Sequence, residues 1–422
     1  MLLALLSLPA LVAGVPTLQL RQDNKHHLSL TRRSIHRRGE FLTPESLAKS
    51  ADFVRYKYGF KTPDGLARRA SEADIGVIDQ GGDTSYAASM SVGTPAQSLN
   101  VVLDTGSSDL FFATTDCTDC PSNTPEFNTN QSSTLNASSQ PIELNYGGGT
   151  ASGTLFEDTV TLGPYTVPQQ IFVGVTQISD GLIDGSLGGL FGLGFQSLSA
   201  SGALPFWQAL VNAGELDSPD MSFYFTRHLD DATSSTETDP GGTFTLGGTN
   251  SSFYQGDIEF NAFPDGTEPS FWLQTVSSLT VNGNSVDISN DSSNIAAIDT
   301  GTTLLGGPTA AVQAFWAQID GSQELSGDQA GLWEFPCETN ISSTLAFGGT
   351  AWPISPADMN LGQISQDSCV GAVFDVTQGA TVNPNVPSWI VGDTFLKNVY
   401  TVLRAGDSPA VGFAKLAESY GY

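Results

Sequence analysis

Two short segments that could perform acid–base chemistry occur in this chain, one in each half. Asp-Thr-Gly-Ser at 104–107 follows the apolar run 101–103, and Asp-Thr-Gly-Thr at 299–302 follows the apolar run 295–298. An apolar run that ends in Asp-Thr-Gly is typical of a strand that delivers a carboxylate into a tight turn. Two such carboxylates in contact cannot both ionise cheaply, so they share a proton and act together as acid and base. The repeat therefore predicts one active site built from both halves.

A second pair of motifs repeats at nearly the same spacing. Leu190-Phe191-Gly192 ends 88 residues after Asp104, and Ile390-Val391-Gly392 ends 93 residues after Asp299. Chance rarely duplicates two motifs in this way. The chain is therefore predicted to consist of two related halves, each of which positions one aspartate.

The elements that must position these motifs are mostly strands. After residue 70, short β-type runs alternate with Gly, Asn, Ser and Asp, which predicts a mainly-β protein. We expect two β-rich lobes, residues 70–255 and 256–422, with a cleft between them. Short helices are predicted at 204–213 and 308–319, each with a proline near its start. The acidic, apolar-poor segment 229–242 predicts an exposed loop.

The first 69 residues differ from the rest in composition. Residues 1–14 are apolar, too short to span a bilayer and end in small residues, which predicts a secretory signal peptide, with a buried N-terminal helix as the alternative. Residues 1–69 carry a net charge of +7, whereas residues 70–422 carry −35. The sign changes directly after Arg68-Arg69, which predicts that residues 15–69 are a propeptide removed near Ala70.

The strong negative charge of residues 70–422 bears on working conditions and partners. Their permanent cations are Arg227, Lys397, Arg404 and Lys415, so self-repulsion at neutral pH is relieved when carboxylates are protonated. This favours acidic working conditions, with an acidic surface that merely maintains solubility as the alternative. Nucleic acid and anionic membranes are disfavoured as partners. The C-terminus lacks the hydrophobic tail of a lipid-anchor signal, so a free, secreted product is expected.

Four cysteines in a secreted chain are expected to pair. Cys117 and Cys120 could close a small loop, and Cys337 with Cys369 a long one. The Cys-Thr-Asp-Cys spacing also occurs in zinc and redox sites, but no second ligand pair accompanies it, and His228 is the only histidine after residue 70. We therefore expect no metal and no cofactor.

Five Asn-X-Ser/Thr sequons also fit secretion, and they mark candidate glycosylation sites on the surface. They begin at Asn130, Asn136, Asn250, Asn290 and Asn340.

In this order the motifs resemble those of the pepsin-like aspartic proteases, specifically the fungal secreted members, over nearly all of residues 75–416. The resemblance rests on both Asp-Thr-Gly segments, the stretch 146–149, the segments 190–194 and 390–393, and the Cys337/Cys369 spacing. It implies a bilobal acid protease fold and endopeptidase activity on protein or peptide substrates. Because one chain supplies both halves, a monomer is expected.

The resemblance also implies roles for individual residues. Asp104 and Asp299 would hold the attacking water between them. Ser107 and Thr302 would hydrogen-bond the outer carboxylate oxygens, and Thr105 and Thr300 would reach across to the backbone of the opposite lobe. With Gly106 and Gly301, these four residues form the expected support of the dyad.

A hairpin flap that closes over substrate is the remaining part of the implied site. Tyr146 resembles the tyrosine at its tip, and Gly147 and Gly148 would make this lid mobile. Phe111 stands where the family often has a Trp whose N–H bonds the flap tyrosine, and Phe cannot donate such a bond, so the resting position of the flap stays open. Gly148 replaces the Asp of relatives that accept Lys, which indicates a preference for apolar or aromatic residues. Arg404 stands where the family usually has Asp, and the sequence offers no reason for it.

The leader resembles the family's propeptides at Arg55-Tyr56-Lys57-Tyr58. Lys57 could pair with the aspartates until acid neutralises them, so that the propeptide acts as an intramolecular inhibitor; a solvated basic helix is the alternative. The alternative for the whole chain is a catalytically inactive pepsin-like binding or inhibitor protein. Such proteins usually lose an aspartate or its flanking residues, and both segments are intact here.

Overall fold

The computed structural model describes Ala51, Val54 and most of the chain after residue 72. The described ranges are 73–80, 83–146, 149–179, 181–183, 186–228, 239–288, 294–365, 367–380 and 386–420. The predicted signal peptide and the predicted propeptide apart from Ala51 and Val54 lie outside the described residues, as do Gly147, Gly148 and Asn290. Lys57 is therefore not described.

Strands form 47% of the structure and helices 11%, which confirms the mainly-β prediction. The strands of the first half are β1 (Ala73–Gln80), β2 (Ser85–Val92), β3 (Gln97–Asp104), β4 (Leu110–Ala113), β5 (Asn136–Tyr146), β6 (Gly149–Leu162), β7 (Tyr165–Ile178), β8 (Gly189–Gly192), β9 (Asp220–Phe225) and β10 (Asp239–Leu246). Those of the second half are β11 (Tyr254–Ala262), β12 (Leu273–Thr275), β13 (Ser278–Val281), β14 (Asn284–Ser285), β15 (Ile295–Ile298), β16 (Leu305–Gly307), β17 (Gln323–Glu324), β18 (Trp333–Pro336), β19 (Ser343–Ala346), β20 (Ala351–Ile354), β21 (Asn360–Gln363), β22 (Ser368–Gly371), β23 (Val373–Asp375), β24 (Trp389–Val391), β25 (Val399–Arg404) and β26 (Ala410–Leu416).

The helices of the described residues are short. They are α1 (Phe206–Asn212), α2 (Thr309–Trp316), α3 (Pro356–Met359) and α4 (Asp393–Leu396), with 3-10 turns at Thr129–Gln131, Gln196–Leu198 and Gly327–Gln329. The predicted helices at 204–213 and 308–319 are confirmed as α1 and α2, and each begins directly after its proline. Of the loop predicted at 229–242, only residues 239–242 belong to the described part of the chain, and there the prediction is wrong. Residues 239–242 instead begin β10, because β1 and β9 both offer hydrogen-bonding partners there.

One sheet of 13 strands joins both halves of the chain, in the order β11-β26-β25-β9-β10-β1-β2-β3-β8-β4-β7-β6-β5. Three smaller sheets belong to the second half, with the orders β12-β15-β24-β16-β23, β14-β13-β19-β20 and β17-β18-β22-β21. The halves meet where β25 of the second pairs with β9 of the first. The predicted boundary between residues 255 and 256 falls inside β11, which pairs with β26.

Each half contains the same arrangement of four strands around its aspartate. In the first half β3 pairs in parallel with β8, β8 antiparallel with β4, and β4 in parallel with β7. In the second half β15, β24, β16 and β23 repeat these three pairings in the same order and directions. The second repeated motif of the sequence is therefore the strand beside the one that leads to each aspartate. The runs 101–103 and 295–298 are buried throughout, as expected of strands covered on both faces.

The structure supplies a partner for Arg404. It lies on β25 opposite Asp220 on β9, and the two side chains form a bidentate ion pair with Nε–Oδ1 and Nη2–Oδ2 distances of 2.9 Å. Its guanidinium carbon also lies 3.8 Å from the centroid of the Phe260 ring. Planar guanidinium suits both contacts, so Arg404 links strands of both halves across the shared sheet.

Candidate active site

Asp104 is the last residue of β3, and its side chain is fully buried. The backbone N–H of Gly106 donates to Oδ1 at 3.0 Å, and the Ser107 hydroxyl donates to Oδ2. The turn that follows the strand therefore satisfies its own carboxylate with one backbone donor and one side-chain donor. This is the arrangement that the Asp-Thr-Gly-Ser sequence predicts for Ser107.

Asp299 follows β15 and repeats this arrangement. It is also fully buried, its Oδ1 accepts from Gly301 N at 3.0 Å, and its Oδ2 accepts from the Thr302 hydroxyl at 2.5 Å. The two carboxylates thus receive equivalent donors at equivalent atoms.

The two turns are tied to each other by a pair of threonines. The Thr105 hydroxyl donates to Ile298 O at 2.8 Å and accepts from Thr300 N at 2.9 Å. Reciprocally, the Thr300 hydroxyl donates to Leu103 O at 2.8 Å and accepts from Thr105 N at 3.1 Å. All four bonds are buried and join residues far apart in sequence. They bring together the two segments that the sequence analysis singled out and hold them in a fixed relation.

The turns also touch at the carboxylates. A Cβ atom built on Gly301 would lie 2.3 Å from Asp104 Oδ1 and 2.6 Å from its Cγ. The Asp104 carboxylate therefore packs directly against the Cα of Gly301, in the loop that carries Asp299. Glycine is required here because any side chain would displace the carboxylate.

The glycines of the second repeated motif support the two turns from behind. A Cβ on Gly192 would meet the Ser108 backbone at 2.4 Å, and one on Gly392 would meet Thr302 O at 2.1 Å. Each motif therefore packs directly against the turn of its own half, which explains why the two motifs repeat together. Backbone bonds complete the support, with Leu193 N donating to Asp104 O at 2.7 Å.

Tyr146 lies at the end of β5, in the hairpin that β5 forms with β6. Its side chain is only 7% exposed, and its ring meets the fully buried Phe111 edge to face at 5.9 Å between centroids. Burial raises the pKa of the Tyr146 phenol well above its usual value, and the negative charges of Asp109 and Asp104 add to this shift. The tyrosine is therefore packed by Phe111 on the Asp104 side of the site. Phe111 supplies a ring contact in place of the indole N–H bond common in the family.

Asp109 is a buried residue near the site that the sequence analysis did not single out. Its carboxylate accepts from Ala200 N at 2.7 Å, from the Ser199 hydroxyl at 2.8 Å, and from both the backbone and the hydroxyl of Ser201. Burial raises its pKa despite these bonds. Because Asp109 follows Asp104 by five residues, it anchors the segment after β8 to the first turn. Its position five residues after Asp104 is the sequence feature that could have identified it as a residue near the site.

The four cysteines form the two disulfides considered in the sequence analysis, Cys117–Cys120 and Cys337–Cys369. The first excludes a zinc or dithiol role for the Cys-Thr-Asp-Cys motif in this state. Among the described residues, no group of three or more His, Cys, Asp and Glu side chains could hold a metal ion. No helix in the described ranges has the length and apolar character needed to cross a membrane.

Of the four described sequon asparagines, Asn130, Asn136 and Asn340 are exposed. Asn250 is only 3% exposed, and its Nδ2 atom, to which a glycan would attach, donates to Asp74 at 2.6 Å. The fold leaves no room for a glycan at this position. Asn250 is therefore a wrong candidate, because the sequon motif carries no information about burial.

Comparison with known proteins agrees with this geometry. The family model for eukaryotic aspartyl protease matches residues 85–416. Major aspartyl peptidase 1 of Cryptococcus neoformans var. grubii is 40% identical over 370 residues, which cover 84% of this chain and 74% of the relative. An aspartic protease of Phaffia rhodozyma is 33% identical, with 87% and 85% covered. Pepsin A of Sus scrofa is 33% identical, with 79% and 82% covered. The chain therefore belongs to the eukaryotic aspartyl protease family and is an aspartic-type endopeptidase.

Proposed function

We propose that this endopeptidase hydrolyses peptide bonds in acid by means of a water molecule held between Asp104 and Asp299. One carboxylate takes a proton from the water, and the other, protonated, donates to the scissile carbonyl oxygen. The water oxygen bonds to the carbonyl carbon. The tetrahedral species then breaks its C–N bond as the amine receives a proton from the dyad, and one hydroxyl of the tetrahedral species returns its proton to the dyad as the new carboxyl group forms. The dyad thus ends with the proton count with which it began.

The equivalence of the two carboxylates carries this proposal. Asp104 and Asp299 each accept one backbone N–H and one hydroxyl, and the threonine bridges fix the two turns against each other. Matching hydrogen-bond donors from the two turns allow the shared proton to reside on either carboxylate, as an acid–base pair that exchanges roles requires. Both halves of this arrangement are intact, which argues against an inactive binding protein.

An acidic, extracellular working environment is part of the proposal. The net charge of −35 on residues 70–422 favours conditions in which carboxylates are partly protonated. The apolar residues 1–14, two disulfides and three exposed sequons support passage through the secretory pathway.

The leader is proposed to inhibit the enzyme before it is removed. Ala51 and Val54 are both buried in an apolar cluster of the second half. That cluster includes Ala297, two residues before Asp299, and Ile390, which pairs with Ala297 across β15 and β24. The burial of two leader residues in the same apolar cluster as the strand that leads to Asp299 supports a propeptide that acts within its own chain.

Substrate preference is proposed to be apolar or aromatic next to the cleaved bond. Tyr146 and Phe111 belong to one apolar cluster with Leu144, Leu182 and Leu187. A substrate side chain that enters beneath the hairpin would meet this apolar surface, which disfavours a charged group without a partner.

Digestion of a peptide library by the activated enzyme across a range of pH tests these proposals. We expect kcat/KM to be roughly tenfold or more higher at pH 4 than at pH 7, because one carboxylate must be protonated. Cleavage should occur mainly between apolar or aromatic residues. An optimum at pH 7 or above contradicts the acid proposal. The absence of cleavage by folded, processed protein would instead favour the inactive binding protein.

A role for Tyr146 as a lid predicts unequal effects of two substitutions. Tyr146→Ala removes the ring that packs on Phe111 and is expected to lower kcat/KM by roughly 10 to 100-fold, since closing residues position substrate. Tyr146→Phe keeps the ring contact and should retain more activity than the alanine variant. Steady-state kinetics measure both, and circular dichroism checks that the fold is unchanged. Full kcat/KM in Tyr146→Ala would remove Tyr146 from the site.

A further inference from the structure

A short segment behind the turn that carries Asp104 is held from two sides. It comprises residues 193–195, directly after the second repeated motif of the first half, and we call it the backing segment. All three of its residues are buried. Trp207 and Trp272 lie against it, and their side chains are 1% and 0% exposed. Because protein encloses both indoles, neither of them can touch a substrate.

The backing segment supports the Asp104 turn through its backbone. Leu193 N donates to Asp104 O at 2.7 Å, and Gly194 N donates to Ser107 O at 2.7 Å. The Ser107 hydroxyl in turn donates to the Asp104 carboxylate. The backing segment therefore fixes the main chain of a residue whose side chain hydrogen-bonds a reacting group.

The carbonyl groups of the backing segment accept from the two indoles. Trp272 Nε1 donates to Leu193 O at 3.0 Å, and Trp207 Nε1 donates to Gly194 O at 3.1 Å. Trp207 lies on α1 of the first half, whereas Trp272 belongs to the second half. The centroids of the two tryptophan rings are 5.7 Å apart, and the Phe195 ring lies 4.5 Å from that of Trp272. Aromatic packing thus holds both donors in place.

One peptide group joins the two sides of the backing segment. The C=O of Leu193 and the N–H of Gly194 belong to the same planar group. That group accepts from Trp272 and donates to Ser107 O, so two linked hydrogen bonds run from the indole to the Asp104 turn. Hydrogen bonds linked in this way polarise and strengthen each other. Loss of the indole N–H would therefore leave a buried carbonyl unpaired and weaken the bond that holds Ser107.

The backbone of Trp272 reaches the strand of the other aspartate. Trp272 O accepts from Ile298 N at 2.9 Å, and Ile298 directly precedes Asp299. Ile298 O in turn accepts from the Thr105 hydroxyl. Trp272 thus bonds β15 through its main chain and the support of Asp104 through its side chain. It is placed to fix the relation of the two turns from behind, in addition to the threonine bridges.

The second half supports its own turn without a tryptophan. There the peptide group between Asp393 and Thr394 takes the corresponding place, and Thr394 N donates to Thr303 O at 2.9 Å. The carbonyl of this group accepts from Lys397 N at 3.1 Å, at the end of α4. Of the two peptide groups, only the one behind Asp104 accepts from a side chain of the opposite half.

We propose that Trp272 is a positioning residue for peptide hydrolysis, whose indole N–H fixes Ser107 and Asp104 relative to Asp299 through the backing segment. Trp207 supports the same segment from within the first half. The inference rests on the proposed mechanism, because it concerns the placement of one member of the dyad. Since Trp272 touches neither substrate nor a reacting atom, it should affect the chemical step and leave substrate binding unchanged.

The test replaces Trp272 by Phe, which keeps an aromatic ring in place and removes the N–H donor. Steady-state kinetics of the processed enzyme at pH 4 give kcat and KM for one peptide substrate. We expect kcat to fall about tenfold and KM to change less than about twofold, because misplaced reacting groups slow the chemical step. Trp207→Phe should lower kcat by a smaller factor, since the Gly194 carbonyl is not part of the peptide group that holds Ser107.

Trp316→Phe is the matched control. Trp316 is a fully buried tryptophan of α2 whose Nε1 donates to a backbone carbonyl, that of Val373, at 2.9 Å. This acceptor lies on β23, which pairs with β16. Both Trp272→Phe and Trp316→Phe should lower the unfolding temperature, because each leaves a buried carbonyl without its indole donor. Only Trp316→Phe should keep kcat within about twofold of the wild type.

Three results would overturn the proposal. They are a wild-type kcat in folded Trp272→Phe, an equal loss of kcat in Trp316→Phe, which would assign the effect to a weakened core, and a rise in KM that exceeds the fall in kcat. If Trp272→Phe does not fold, Trp207→Phe replaces it, because it removes the other indole donor to the backing segment. An unchanged kcat in folded Trp207→Phe then overturns the proposal.

The same data separate this inference from the proposed function. A wild-type enzyme that cleaves no peptide, or cleaves best at neutral pH, would contradict the proposed function. An acid-active wild type with an unaltered Trp272→Phe would contradict the positioning role alone.

Discussion

Replacement of Asp104 or Asp299 by Asn is expected to lower kcat/KM for peptide hydrolysis by roughly four orders of magnitude or more, because each half of a joint acid–base pair is useless without the other. The fold should persist, since Asn can still accept from Gly106 N or Gly301 N through its amide oxygen. The double variant should be hardly worse than either single one. Steady-state kinetics on purified variants, with circular dichroism to check folding, measure this.

Asp158→Asn is the matched control for these substitutions. Asp158 is a buried aspartate of β6 that also accepts from hydroxyl groups, those of Ser132 and Thr134, both at 2.6 Å. Its replacement should lower the unfolding temperature and leave kcat/KM within a few-fold of the wild type, because it has no contact with the dyad. Substantial turnover by a folded Asp104→Asn or Asp299→Asn enzyme would exclude the shared-proton mechanism.

Gly301→Ala is expected to have the next largest effect, a loss of roughly 100-fold or more in kcat/KM, since small displacements of reacting groups are costly. The new methyl group would lie 2.3 Å from Asp104 Oδ1, so the carboxylate must move away from Asp299 or the two turns must separate. Both movements disturb the dyad although the variant changes neither aspartate. The loss should appear in kcat more than in KM.

Gly214→Ala distinguishes this clash from the general cost of replacing a glycine. Gly214 has a positive φ of 72° with no atom within 4 Å of an added Cβ, so alanine there strains the backbone without touching a neighbour. We expect a loss of about 1 kcal/mol in unfolding free energy and normal kinetics. If Gly301→Ala behaves like Gly214→Ala, the close contact between the two turns is not needed for catalysis.

Much of this arrangement could be predicted from the sequence because it is repeated and local. The apolar runs before Asp104 and Asp299 indicate buried strands, and their Asp-Thr-Gly turns fix which donors meet each carboxylate. The second repeated motif predicted a duplicated fold, and the structure adds the reason, which is that Gly192 and Gly392 pack against the two turns. Proline before α1 and α2 likewise located both helices.

What could not be predicted depends on contacts between distant segments. Asp393 belongs to the second repeated motif and its flank, 390–393, but its complete burial follows from packing that brings the distant residues Asp79 and Asp83 near it. Asn250 begins the same sequon as the exposed asparagines, and only its hydrogen bond to the distant residue Asp74 shows that it differs from them. Arg404 remained unexplained for the same reason, because Asp220 lies on a strand 184 residues away in sequence. Pairing across such separations has no local signal.

The order of strands in the shared sheet also constrains how the chain is made. β25 and β26, at 399–416, lie between β9 and β11, so a gap separates those earlier strands until residues 399–416 leave the ribosome. The first half can form its own pairings during synthesis, but its edge at β9 stays open, and open strand edges invite aggregation. The shared sheet is therefore completed only after residues 399–416 have been synthesised. A chain cut short before residue 399 would lose the strands that join its two halves, even though it retained both aspartates.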